Sequence, residues 1–99
     1  MTDGEITIKL SRAKAIAIFE WAQRFMESQN PQFTHPADAI VVDTIASELE
    51  WALPEVFTDE YPKLLAASRR AIESEYRASM GAQYSDWLDH LEYQDIQGE

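Results

Sequence analysis

The alternation of polar and apolar residues predicts one short strand at the start of the chain, followed by helices. In residues 5–10 the side chains of Ile6, Ile8 and Leu10 fall on one face, which is the two-residue period of a half-buried strand. From Ser11 onward the apolar residues recur at helical spacing, and the Ser11 hydroxyl is placed to cap the new helix. The pattern therefore predicts a strand that leads directly into an amphipathic helix.

Proline, glycine and capping residues divide the rest into three further helices. The first helix is expected to end at Asn30-Pro31, the second to run from Thr34-His35-Pro36 to Pro54, the third to begin at a Thr58 or Asp59 cap and end at Gly81, and the fourth to begin at Ser85-Asp86. In the second helix, the spacing predicts a core stripe of Val41, Ile45, Leu49 and Ala52. The fourth helix is short, with Trp87, Leu88 and Leu91 on one face.

These elements predict a mainly α protein with a single domain over residues 1–99. Three amphipathic helices and a short fourth, joined by short loops, favour an antiparallel helical bundle that carries one short N-terminal β-strand. That strand needs a hydrogen-bonding partner, because an unpaired edge promotes aggregation. It pairs either with residues 55–57 or with the same strand of a second subunit. We expect the second arrangement, a homodimer, because residues 55–57 are too few for a partner strand.

Composition narrows the classes of function. The 99 residues include 8 basic and 18 acidic side chains, for a net charge of −10, and no cysteine. A chain this acidic is not expected to bind nucleic acid or an anionic membrane directly. The absence of cysteine excludes disulfides and thiolate metal ligands. The acidic start and the lack of a long apolar run predict a cytoplasmic protein, of bacterial type, with no membrane association.

The negative charge is concentrated in two parts of the chain. Residues 31–57 and residues 81–99 each carry five acids and no base, whereas the other parts are balanced. Such one-signed segments can steer a basic partner, or they can simply keep a small protein soluble. Trp51 and Ile40 lie away from the expected core stripe, and tryptophan is common at interaction hot spots. The predicted partner-binding residues are therefore Ile40, Asp43, Ser47, Glu48, Glu50, Trp51, Asp86, Asp89 and Glu92.

Signatures of catalysis are scarce. Three glycines cannot form a glycine-rich phosphate loop, and no residue pattern predicts a catalytic site or a bound cofactor. Asp86, Asp89 and His90 stand at positions i, i+3 and i+4 of the fourth helix, a spacing compatible with a divalent metal and equally with a solvated face. We therefore expect a non-enzymatic protein.

The segment Ile8-Lys9-Leu10-Ser11-Arg12, with Ala15 and Phe19-Glu20-Trp21 after it, resembles the start of a group of small acidic bacterial proteins of unknown function. In that group a strand leads into a Leu-Ser-Arg helix that ends in Phe-Glu-Trp. His35-Pro36-Ala37 and the run from Leu64 to Ala67 are similar too. The resemblance implies a fold of strand and helices over most of the chain and implies no activity.

Together these features predict an acidic protein-interaction module that binds a basic protein, in the manner of an immunity protein or an antitoxin. Two alternatives remain open. One is an inhibitor that mimics nucleic acid by presenting carboxylates at phosphate-like spacing. The other is a small metal-binding helical protein that uses Asp86, Asp89 and His90.

Overall fold

The computed structural model describes residues 4–91 and is mainly helical, as the sequence predicts. Four α-helices pack against one another in the order α1 (Arg12–Glu27), α2 (Pro36–Ala52), α3 (Tyr61–Met80) and α4 (Ala82–Ser85). A 3₁₀ turn, Pro54–Phe57, connects α2 to α3, and a second, Asp86–His90, follows α4.

Local chemistry sets the start of the first two helices. The Ser11 hydroxyl accepts a 3.1 Å hydrogen bond from the backbone amide of Lys14, which confirms the predicted cap of α1. At the start of α2 the cap is His35, whose Nδ1 accepts a 3.0 Å hydrogen bond from the Ala37 amide. Pro36 occupies the first turn, where its missing N–H leaves no bond unmade.

The third helix begins at Tyr61, whereas a cap at Thr58 or Asp59 would have started it at residue 59 or 60. Thr58 does not cap α3: its hydroxyl donates to the Glu55 carbonyl and closes the preceding 3₁₀ turn. The residue before the helix is Glu60, which makes no side-chain capping bond. Pro62 lies in the first turn as predicted, and Gly81 ends the helix with a positive φ of 83°.

Helix α1 is the centre of the bundle, because both α2 and α3 pack against it. The Arg12 guanidinium donates to the carbonyl of Ala52, so the start of α1 lies beside the end of α2, and the two helices are antiparallel. The core consists of a small cluster of buried residues: Ala15, Ile16, Phe19, Leu53 and Leu65. In this cluster α1, the residue that follows α2, and α3 meet.

The predicted N-terminal strand is wrong for the single chain. Residues 5–10 have no regular secondary structure, and Ile6 and Ile8 are 87% and 76% exposed. The physical reason is that a strand needs a second strand: residues 55–57, the intramolecular alternative, lie in the 3₁₀ turn Pro54–Phe57. From Ile6 to Leu10 the backbone makes no hydrogen bond within the described residues.

The fourth helix also differs from its prediction. The α-helix begins at Ala82, immediately after Gly81, and ends at Ser85, where the prediction had it begin. Ser85 is buried, and its hydroxyl donates to the Gly81 carbonyl rather than capping a following helix. Asp86–His90 is a 3₁₀ turn, and the residues beyond Leu91, including Glu92, lie outside the described part of the chain.

Candidate interaction surface on helix α2

Helix α2 presents a broad apolar surface to solvent. Trp51 is 88% exposed and Ile40 is 66% exposed, and the neighbouring Val41 and Ile45 are also exposed. Ile40, Thr44, Ser47 and Trp51 follow one another at helical spacing, so they form a row about 16 Å long at 1.5 Å per residue. We define the outer face of α2 as the following exposed residues: Ile40, Val41, Asp43, Thr44, Ile45, Ser47, Glu48, Glu50 and Trp51.

The predicted core stripe of α2 is therefore largely wrong. Val41 and Ile45, expected in the core, are 55% and 43% exposed, and Ala52 is exposed as well. The buried side is instead centred on Ala46, with Val42 and Leu49 partly buried beside it. Small residues at Ala39 and Ala46 let α2 approach α1 closely, which is a packing reason for this rotation.

Acidic side chains surround the apolar row without any basic neighbour in sequence. The chain carries no lysine or arginine between residues 25 and 62. At 100° per residue, Asp43 and Glu50 lie on one flank of the row that runs from Ile40 to Trp51. Glu48 lies on the opposite flank. The combination of an exposed tryptophan, aliphatic side chains and a rim of carboxylates is suited to a basic partner with an apolar pocket.

One arginine anchors the end of this helix from outside it. The Arg12 guanidinium donates to both carboxylate oxygens of Glu55, at 2.7 and 2.6 Å, and to the carbonyl of Ala52 at 3.1 Å. The carboxylate raises the pKa of Arg12, and the hydrogen bonds from Arg12 lower the pKa of Glu55. Arg12 thus satisfies an end carbonyl of α2 and neutralises Glu55. Within residues 4–91, the acids of the outer face make no ion pair.

The second group of predicted partner-binding residues lies elsewhere. Asp86 and Asp89 belong to the 3₁₀ turn after α4, and α4 packs on α3, whereas α2 packs on α1. Asp89 is held by the guanidinium of Arg77 at 2.9 Å. Glu92 lies outside the described residues. Asp86 and Asp89 therefore follow a helix that packs on α3, whereas the acids of α2 lie on a helix that packs on α1.

The metal hypothesis gains nothing from this geometry. Within residues 4–91, no three histidine or acidic side chains come together in a way that would hold a metal ion. Asp86, Asp89 and His90 were expected on one face of an α-helix; in the 3₁₀ turn Asp86 and Asp89 stay aligned, but His90 is rotated about 120° from them. Asp89 is moreover directed to Arg77.

A polar cluster between α1 and α3 was not predicted. The hydroxyl of Tyr61, partly buried at the start of α3, donates to Glu20 at 2.8 Å, and Glu20 also accepts from Arg24. Burial and the adjacent carboxylate raise the pKa of Tyr61, because both disfavour the phenolate. The signal in the sequence was the Glu20–Arg24 spacing alone, which indicates an exposed pair and not a contact across helices.

Trp21 belongs to an aromatic group of its own. Its ring stacks on Phe25 at 5.3 Å between centroids, and Phe25 meets Phe33 edge to face at 5.1 Å. These rings join the end of α1 to the loop that precedes α2. Trp21 therefore packs in this aromatic group rather than with the outer face of α2.

Comparison with known proteins returns no match among family models, curated proteins or solved structures. The resemblance to small acidic bacterial proteins stays a prediction. Among the described residues, no helix is both long and apolar enough to cross a bilayer.

Proposed function

We propose that this chain is a non-enzymatic protein-interaction module that binds a basic protein through the outer face of α2. The observation that carries the proposal is the 88% exposure of Trp51 on a face rimmed by acids. A fully exposed tryptophan offers on the order of 200 Å² of contact area, and such residues contribute most of the binding energy where they enter a pocket. Ile40 lies in the same row and supplies a second apolar contact.

The acids have a separate role in this proposal. Carboxylates at the edge of an interface mainly raise the rate of association and select a partner of opposite charge. An immunity-like or antitoxin-like role, in which an acidic protein neutralises a basic one, requires this combination. The contacts of α2 and α4 do not favour the nucleic-acid-mimicking alternative, since that function needs one continuous acidic surface.

The experiment begins with capture from a bacterial lysate on the immobilised full chain, at low and high salt. The captured protein is then identified, purified and titrated against defined variants by calorimetry. Trp51→Ala is expected to weaken binding at least about 30-fold, the size of a hot-spot loss of 2 kcal/mol. The control Trp87→Ala removes a tryptophan from the turn after α4, outside α2, and should bind like the wild type.

Charge is tested with two variants of equal net charge. Glu48→Gln/Glu50→Gln is expected to slow association and weaken its salt dependence, whereas Asp59→Asn/Glu60→Gln, outside α2, should change neither. Equal effects of the two variants, or equal binding by Trp51→Ala and Trp87→Ala, would contradict the proposal.

We further infer that the chain forms a homodimer through residues 5–10. These residues are exposed and have no regular secondary structure, Ile6 and Ile8 face solvent, and the backbone from Ile6 to Leu10 makes no hydrogen bond within the described residues. Pairing across a two-fold axis would satisfy the backbone of both copies. Self-association through α2 is less favourable, because it would bring two acidic faces together.

Sedimentation at micromolar concentration tests the dimer. The expected species has twice the 11.4 kDa mass of the chain. Thr7→Pro removes a backbone donor in the middle of the segment and should give the monomer. Ile40→Asp, on the outer face of α2, should leave the dimer intact. A single species of 11.4 kDa for the wild type would contradict the dimer and would leave the partner-binding proposal standing.

A further inference from the structure

A groove lies away from α2, with no residue of that helix among the described residues that line it. It has a cavity volume of about 900 Å³ and is formed by α1, the second half of α3 and the turn after α4. Its apolar lining comes mainly from Ile72, Tyr76, Met80, Trp87, Leu88 and Leu91. This volume is within the range of sites that take small molecules, roughly 300–1,000 Å³.

One wall of the groove is held in place by specific contacts. The indole N–H of Trp87 donates to the Tyr76 hydroxyl at 3.2 Å, and the two rings meet edge to face. Arg77 bonds to Glu73 at 2.8 Å and to Asp89 at 2.9 Å, which joins the turn to α3. These two carboxylates raise the pKa of Arg77, so it stays charged and remains engaged with them.

Two other cations line the groove without such engagement. Lys14, from α1, and Arg69, from α3, make no ion pair within the described part of the chain. Among the lining residues that the structure describes, Glu75 is the one carboxylate outside the Arg77 network. The protein has a net charge of −10, so its overall electrostatic field is negative. Lys14 and Arg69 add positive charge to this mainly apolar groove.

We propose that this groove binds a small amphipathic carboxylate, with the alkyl chain against Met80, Trp87 and Leu88 and the carboxylate at Lys14 and Arg69. An alkyl chain fits the open, mainly aliphatic lining, and arginine and lysine are the side chains that bind carboxylates. The occupant is a free monomeric amphiphile and not a membrane. The site is separate from α2 and does not depend on the function proposed for that helix.

Decanoate, below its micellar concentration, is the probe, and the full chain is used so that residues 92–99 are present. Trp87 is read by fluorescence in a Trp21→Phe/Trp51→Phe background, and calorimetry gives the Kd. We expect saturable binding and a changed Trp87 emission. Decyltrimethylammonium has an alkyl chain one carbon longer and a positive head, and despite the extra methylene it should bind at least tenfold more weakly. A chain of charge −10 would by its overall field favour that cation, so preference for decanoate reports local cations.

Two variants with the same net charge locate the head-group site. Lys14→Ala/Arg69→Ala should weaken decanoate binding at least tenfold, whereas Lys63→Ala/Arg70→Ala, outside the groove, should change it less than twofold. Far-UV circular dichroism checks that both remain helical. Three results would overturn the proposal: no saturable binding, equal loss in both variants, or binding of the cationic amphiphile as tight as that of decanoate.

Discussion

Leu53→Ala tests whether the small core is as important as its burial indicates. Leu53 is 1% exposed and lies where α2 meets the 3₁₀ turn, in the cluster with Ile16, Phe19 and Leu65. Truncation removes about three carbon groups, at roughly 0.8 kcal/mol each, and leaves a cavity. The expected loss in the free energy of unfolding is about 3 kcal/mol, within the usual range of about 2–5 for this change. That is a large share of the roughly 5–15 kcal/mol that stabilises a small domain.

Urea unfolding followed by far-UV circular dichroism measures this loss, and Trp51→Ala is the matched control. Trp51 is two residues earlier and 88% exposed, so its truncation should change stability by less than about 0.5 kcal/mol. In thermal melts the loss at Leu53 corresponds to a drop in Tm of at least about 12 °C, at about 4 °C per kcal/mol. Comparable losses in both variants would refute the reasoning, because they would mean that Trp51 is covered in the folded protein.

Three further variants test individual contacts by urea unfolding. Tyr61→Phe removes the hydrogen bond to Glu20 and should lower the free energy of unfolding by about 1 kcal/mol. Because the pKa of Tyr61 is raised in the fold, wild-type stability should be full below about pH 10 and fall above it, and less steeply in the variant. The pKa of Glu55 is lowered in the fold, so its contribution to the free energy of unfolding is present above pH 4.5 and is lost as the pH falls further. Glu55→Gln should therefore reduce the fall of stability at acid pH. Gly81→Ala forces a side chain to adopt φ +83° and should cost about 1–3 kcal/mol, and an unchanged midpoint would contradict the strain argument.

The starts of α1 and α2 and the end of α3 were the most predictable part of the fold. Ser11, Pro36 and Gly81 act through local backbone chemistry, so a single sequence reveals them. Thr58 shows the limit of such reasoning: its hydroxyl can cap a helix or close a turn, and the choice depended on the neighbouring 3₁₀ segment.

The face of α2 that packs inward was less predictable. Apolar residues surround nearly the whole helix, so periodicity alone offered a stripe with Val41 and Ile45 and another with Val42 and Ala46. Close approach of α1 selected the stripe with the small residue. The lack of strand structure in residues 5–10 follows from the same cause, because a strand depends on a second strand that local sequence does not specify.

The two proposed protein contacts use different parts of the chain, and this has a consequence for affinity. Pairing through residues 5–10 leaves α2 of each copy open, so a dimer would present two acid-rimmed faces. A partner with two basic sites, or one that is itself a dimer, would then bind the second face as an intramolecular step, which can strengthen binding about 10²–10⁴-fold without a new contact. Thr7→Pro separates the two effects: it should leave the affinity of one α2 face unchanged and remove the gain from bivalency.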